Sequence, residues 1–205
     1  MLIKDIMISK RLMIALLLSV IAHVHAADQK EWNRQLYNAL MYGAPLERVK
    51  NLIEVHHADI KGVEEHSLFR TPALNLAAGA RTQDSSALSY LIEYGVDVNA
   101  KDCDDFTPCH YAAAGNRADL IEILSNNKAN VNAKNKYGCT PLHSACLQGA
   151  FHAAKVLLKH GANVQEKNKE GQTPLDIARK NHYEVIVKYL EEWESVPEIK
   201  QPEED

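Results

Sequence analysis

The chain has 205 residues, of which 46% are hydrophobic and 24% charged, and its net charge is −4. This is globular composition with enough length for one sizeable core. A mildly acidic chain without basic clusters argues against nucleic acid or anionic lipid as its target.

The first 26 residues read as a leader rather than as fold. Lys4, Lys10 and Arg11 make a positive start, an apolar run of 13 residues follows from Leu12 to Val24, and Val24-His25-Ala26 precedes a predicted cut after Ala26. This is the layout of a cleavable secretory signal peptide, so the mature chain is expected to be periplasmic or secreted. The alternative is an uncleaved anchor, but a spanning helix needs roughly 20 apolar residues. No cysteine lies near the cut, which argues against a lipoprotein. Removing the leader takes away a net +2 and leaves −6. No membrane insertion is expected after cleavage.

Residues 27–57 read as a helix pair. Trp32, Leu36, Ala39 and Leu40 recur at helical spacing, Gly43-Ala44-Pro45 interrupts, and Leu46, Val49, Leu52 and Ile53 resume. Residues 58–99 form a second unit around Thr71-Pro72. Its connecting stretch, 61–70, is about two residues longer than its later counterparts, as is the turn 79–84. Insertions in a stacked array fall in loops on one face, often the binding face; the alternative is drift near an end of the array.

The next three units repeat closely, over 100–132, 133–165 and 166–193. Thr107-Pro108-Cys109-His110, Thr140-Pro141-Leu142-His143 and Thr173-Pro174-Leu175-Asp176 are spaced 33 residues apart. Fixed self-similarity at this period means stacked repeats. Threonine can cap a helix start, and proline costs nothing at the first helical position, where its missing N–H has no partner anyway. Paired small residues such as Ala112-Ala113 let neighbouring helices approach. Asp105 stands where the later copies have Gly138 and Gly171. Lys128 stands where others have Gly95 and Gly161, and Asn116 and His182 stand where the fourth unit has Gly149. These positions want a positive φ, which makes the third unit the less rigid neighbour of the fourth. Residues 194–205 are acidic, contain two prolines, and are expected to be disordered.

The pattern T-P-L-H-x-A at this period, with a Gly-Ala-Asn-Val exit at residues 161–164, resembles the ankyrin repeat. The resemblance covers residues 31 to 193. It implies an all-α solenoid of about five helix-turn-helix repeats with short β-hairpin fingers, capped at both ends and monomeric when free. It also implies that His110 and His143 hydrogen-bond the loop of the adjacent repeat. In ankyrin proteins the finger tips and the first-helix face form a concave surface for protein partners. Carried over by position, the partner-binding candidates are Asp104, Asp105 and Phe106 in the third repeat. In the fourth they are Lys136, Tyr137, Leu147 and Gln148, and in the fifth Lys169, Glu170 and Gln172. Phe106 and Tyr137 stand out, because aromatic residues at exposed tips are candidate hot spots; the alternative is that each packs over the neighbouring finger as structure.

Catalytic chemistry finds no support. Nucleophile-elbow, phosphate-loop and zinc-helix motifs are absent from the sequence. Asp102, Asp104 and Asp105 lack calcium-loop spacing and read as a solvated acidic finger. Cys109 and Cys146 replace core residues of the motif; Cys103 and Cys139 lie in neighbouring fingers, where a disulfide is possible but not implied. No C-x-x-C spacing points to zinc, and no cofactor or metal is expected. The reading is a non-catalytic protein-binding module exported from the cytoplasm, of the kind that shields its producer by blocking a toxic exported enzyme. The alternatives are a secreted effector binding host proteins, and an enzyme or redox protein built on the scaffold.

Overall fold

The computed structural model describes residues 26–60, 71–80, 82 and 84–195. These hold ten α-helices and a π-helical turn, with no strand among the described residues. The leader up to residue 25, the long finger 61–70, Arg81 and Gln83 of the second repeat's turn, and residues 196–205 lie outside the description. Ala26, the last leader residue, is helical.

The helices come in pairs. Residues 26–41 form α1, followed by α2 (Leu46–Lys50) and the π turn Asn51–Val55. The second pair is α3 (Ala73–Gly79) and α4 (Ser86–Glu93). Then come α5 (Pro108–Ala114) with α6 (Ala118–Asn126), α7 (Pro141–Gln148) with α8 (Phe151–Lys159), and α9 (Pro174–Lys180) with α10 (Glu184–Ser195). The first helices α3, α5, α7 and α9 lie side by side, and α6, α8 and α10 form a second layer behind them. The core runs unbroken between the layers, from Leu36 and Leu40 through Leu74, Leu91, Leu124, Leu142 and Leu157 to Leu190. Each buried leucine contributes roughly 1.5–3 kcal/mol. Ala112, Ala113, Ala145 and Cys146 are fully buried, and their small volume lets α5 and α7 pack closely. No repeat has a closed core of its own, so each depends on its neighbours.

The Thr-Pro starts work as the chemistry requires. Thr107, Thr140 and Thr173 each take extended backbone angles, with proline next in the helix and a reciprocal capping box closed by the residue three along. In the first two, that residue is the motif histidine. Nδ1 of His110 accepts the Thr107 N–H at 3.1 Å, so the ring proton sits on Nε2, which donates to the Cys139 carbonyl at 3.0 Å. His143 repeats this with Thr140 at 3.1 Å and the Gln172 carbonyl at 3.1 Å. One side chain thus starts its own helix and ties down the next finger. Asp176 closes its box through a carboxylate, which has no proton to donate onward. The chain of histidine ties ends there, as a terminal repeat requires.

Two expectations need correction. Among the described residues the fingers form no strand ladder; each is a turn with one backbone bond inside its tip and one closing its base. The closing bonds run from Asp102 N to Phe106 O at 3.1 Å, Asn135 N to Cys139 O at 3.0 Å and Asn168 N to Gln172 O at 3.0 Å. The last helix also runs two residues past the expected end of the array, through Glu194 and Ser195. Glu194 accepts a bond from Gln165 at 2.8 Å, and the partly buried Trp193 packs near Tyr189. This anchoring extends the helix into what composition alone marks as tail.

Candidate functional site

The finger edge is built on a column of short side chains at the repeat period: Asp102, Asn135 and Asn168. Oδ1 of Asp102 accepts from Asp104 N and Phe106 N, both at 2.9 Å. Asn135 takes Tyr137 N at 2.9 Å and Cys139 N at 3.0 Å; Asn168 takes Glu170 N at 3.0 Å and Gln172 N at 2.9 Å. Each tip is therefore folded over its own side-chain acceptor. Asp102 is only 8% exposed, and Tyr111 donates its hydroxyl to the second carboxylate oxygen at 2.7 Å. The solvated acidic finger expected here is thus corrected for Asp102, which is structural. Burial and this carboxylate together push the Tyr111 hydroxyl well above its ordinary pKa.

Successive tips are joined. Lys136 N donates to the Asp104 carbonyl at 2.9 Å, and Lys169 N to the Tyr137 carbonyl at 3.0 Å. The Lys136 amine also meets the Asp104 carboxylate at 3.0 Å, which raises the lysine above its usual pKa. The result is a stiff edge on which side chains are presented with little freedom left to lose on binding.

The ten candidates divide on this edge. Tyr137 is 53% exposed at its tip and Leu147 52% exposed near the end of α7, with Gln148 exposed beside it. Lys169 and Glu170 are exposed; Asp105 is exposed, at φ 63°, and paired with Lys101 at 3.4 Å. Asp104 is half-buried and held by Lys136. Phe106 is not an exposed tip: it is half-buried, edge-on to His110 at 5.5 Å and to Tyr111 at 6.2 Å. It backs Tyr137 at 6.3 Å. Gln172 is half-buried, its carbonyl occupied by His143 and its side chain approached by Asn168 at 3.4 Å. It belongs to the scaffold. The structure therefore gathers Phe106, Tyr137 and Lys169 in one place and leaves Tyr137 and Leu147 as the exposed apolar points.

Some residues escaped the sequence reading. Asn75, fully buried, donates to the Phe106 carbonyl at 2.8 Å and fills the histidine's role one place later, after the extra residue Ala73. Its signal was the 31-residue step to the residue before Thr107. Exposed Met41 and Tyr42 precede Gly43 as Leu147 and Gln148 precede Gly149, so the apolar points extend to the first repeat. Arg117 is buried against the second repeat's turn, bonded to the Thr82 carbonyl and paired with Asp119 at 2.7 Å.

All four cysteines are free. Burial pushes the thiols of Cys109 and Cys146 up to about 12, which makes them unreactive core groups. Among the described residues no group of three or more His, Cys, Asp or Glu is placed to hold a metal ion. None of the described helices is long and apolar enough to cross a membrane. A cleft of about 640 Å³ lies apart from the third-to-fifth fingers, lined by Ile53, Ala58, Ile60, Tyr94 and Val96.

No curated protein matches the chain. The family model described as ankyrin repeats (3 copies) matches residues 36–135 and 116–200. Those stretches span most of the sequence and coincide with the capping boxes, the histidine ties and the joined fingers; the chain belongs to the ankyrin repeat family, and is built as a protein–protein interaction module.

Proposed function

We propose that this protein is an exported, non-catalytic binder that docks a specific exported protein on the finger face of repeats three to five and blocks it. The observation that carries the reading is the pair of exposed apolar side chains, Tyr137 on the hydrogen-bonded finger edge and Leu147 in the last turn of the adjoining helix α7. Large apolar groups held rigidly at a surface are what interface hot spots consist of. The leader pattern of residues 1–26 supports export, to the periplasm or beyond it. A single interaction module fits an immunity or self-protection role, in which occupying a toxic enzyme's cleft is sufficient. The free protein is a monomer that binds neither nucleic acid nor membrane.

Affinity capture from the cell envelope tests this, with a folded Tyr137→Ala/Leu147→Ala variant beside the parent. One exported enzyme, inhibited and held by the parent but released by the variant, is the expected result. Capture of the same protein by both moves the docking face elsewhere. Protein found only outside the producing cell, with no envelope partner, moves the reading to a secreted effector.

A further inference from the structure

The charges along the finger edge pair off in repeats three and four. Lys101 meets Asp105 at 3.4 Å, Lys136 meets Asp104 at 3.0 Å and Lys134 meets Glu166 at 2.6 Å. The fifth repeat departs from this. Lys136 finds Asp104 on the preceding finger, whereas Lys169, one repeat later, borders Tyr137 there and bonds its carbonyl through the backbone. Lys180 follows Leu147 at the repeat spacing and is exposed at the end of α9. Among the described residues neither amine has a carboxylate within ion-pair distance. Glu170 is the acid next to Lys169, and with it the two lysines keep a local charge of +1 on a chain that carries −4 overall.

Each exposed apolar point thus has an unpaired lysine on the next repeat: Lys169 beside Tyr137 through their backbone bond, and Lys180 one repeat after Leu147, although the strict repeat counterpart of Tyr137 is Glu170. Resting on the protein-binding reading above, we infer that the partner presents an acidic segment to repeats four and five. An apolar or aromatic side chain packs on Tyr137 and Leu147, and flanking carboxylates meet Lys169 and Lys180. The overall negative charge opposes such a partner at long range. The lysines therefore act within about a Debye length, roughly 8 Å, and set register and specificity.

The test uses two fluorescein-labelled peptides and the full chain, read by anisotropy. Both carry a central Trp; one flanks it with Asp and Glu, the other with Asn and Gln. The acidic peptide is expected to bind about 5-fold more tightly at low salt, and to lose that margin as salt rises. Lys169→Gln/Lys180→Gln should erase the preference. Tyr137→Ala/Leu147→Ala should weaken both peptides alike. Equal binding of the two peptides, a preference untouched by the lysine changes, or no binding of either overturns the inference. Tighter binding of the acidic peptide after removal of residues 196–205, with Glu198, Glu203, Glu204 and Asp205, makes the chain's own tail the occupant and overturns it as well. In the envelope capture, a partner lost on Tyr137→Ala/Leu147→Ala but kept by the double lysine variant sinks this inference and leaves the docking face standing.

Discussion

The third and fourth repeats share capping boxes, histidine ties and core positions, yet they turn their corners with different residues. The fourth has Gly138, Gly149 and Gly161 at φ 75°, 68° and 81°; the third has Asp105, Asn116 and Lys128 at 63°, 55° and 66°. The backbone is the same and the chemistry is not. At the turn between the two helices the difference has a purpose. An added Cβ on Gly149 would stand 2.7 Å from the Tyr183 ring, so the absent side chain lets the fifth repeat pack. Asn116, in the same place one repeat earlier, extends its Oδ1 to the N–H of Ala153 at 3.0 Å. Helix α8 begins after Ala150, which has no side chain able to cap it. The preceding repeat supplies the cap. One corner couples forward by removing atoms, the other by adding them.

The largest expected effect lies in the core column that the two repeats fill differently. Leu142 is fully buried, and its truncation to Ala should cost about 4 kcal/mol, read by urea unfolding. Cys109, its counterpart and 1% exposed, has far less to lose, so Cys109→Ala should cost about 1 kcal/mol. Equal losses would show that the two repeats unfold from some other weak point.

Acid should separate them next. Burial pushes His110 down to about 4, with the Cys139 carbonyl pulling it partly back; burial also lowers His143. Both rings are shut off from solvent, but Phe106 lies edge-on to His110, where the fourth repeat has Cys139 in that column, so more apolar bulk surrounds His110. A histidine whose folded pKa lies below its unfolded value of about 6.5 contributes stability above that pH. The contribution is lost as the unfolded chain takes up the proton and pH falls towards 4, a change of up to about 3 kcal/mol. Stability measured between neutral and acid pH should fall, and His110→Gln should flatten the profile more than His143→Gln. The opposite order would remove Phe106 as the cause.

Much of this was legible because it is local. A Thr-Pro start, a positive-φ corner or a histidine three places into a helix depends on residues close in sequence, and each recurs at the same spacing. What escaped depends on contacts that the motif itself does not spell out, some within one finger and helix and others about 30 residues apart. Phe106 looks exposed until His110 and Tyr111 turn towards it from α5, and Asp102 looks solvated until Tyr111 reaches it. Asn75 was hidden by a one-residue insertion that displaced it from the motif column. The helical end of α10 was hidden because acidic composition says nothing of a bond from Gln165. On the candidate face Tyr137 and Leu147 stand exposed, while Phe106 is covered from its own helix α5 and by Tyr137, and Gln172 is held by His143 of the preceding repeat.

Gly149→Ala tests the corner directly. It forces an L side chain into left-handed backbone and displaces Tyr183, for about 2 kcal/mol in total. The loss should appear as faster hydrogen exchange in α9 and α10, since those helices lose their seat. Exchange rising only in α5 and α6 would show that Gly149 does not couple forward.

The smallest effect is the most discriminating. Replacing Asn116 by Gly restores the repeat's usual residue and relieves left-handed backbone at φ 55°, so turn propensity alone predicts a gain. The bond to Ala153 predicts the reverse. Losing a helix cap costs about 1 kcal/mol, more than the few tenths that Asn gives up to Gly in such a corner. Asp105→Gly is the control, because its side chain makes only an exposed pair with Lys101 at 3.4 Å, worth about 0–1 kcal/mol. Thermal unfolding should therefore place Asn116→Gly below the parent and Asp105→Gly level with it. If both variants rise together, the third repeat's corners are merely imperfect glycines. If only Asn116→Gly falls, the corner is a joint, and the third repeat holds the start of α8 through a residue that its own turn would be better without.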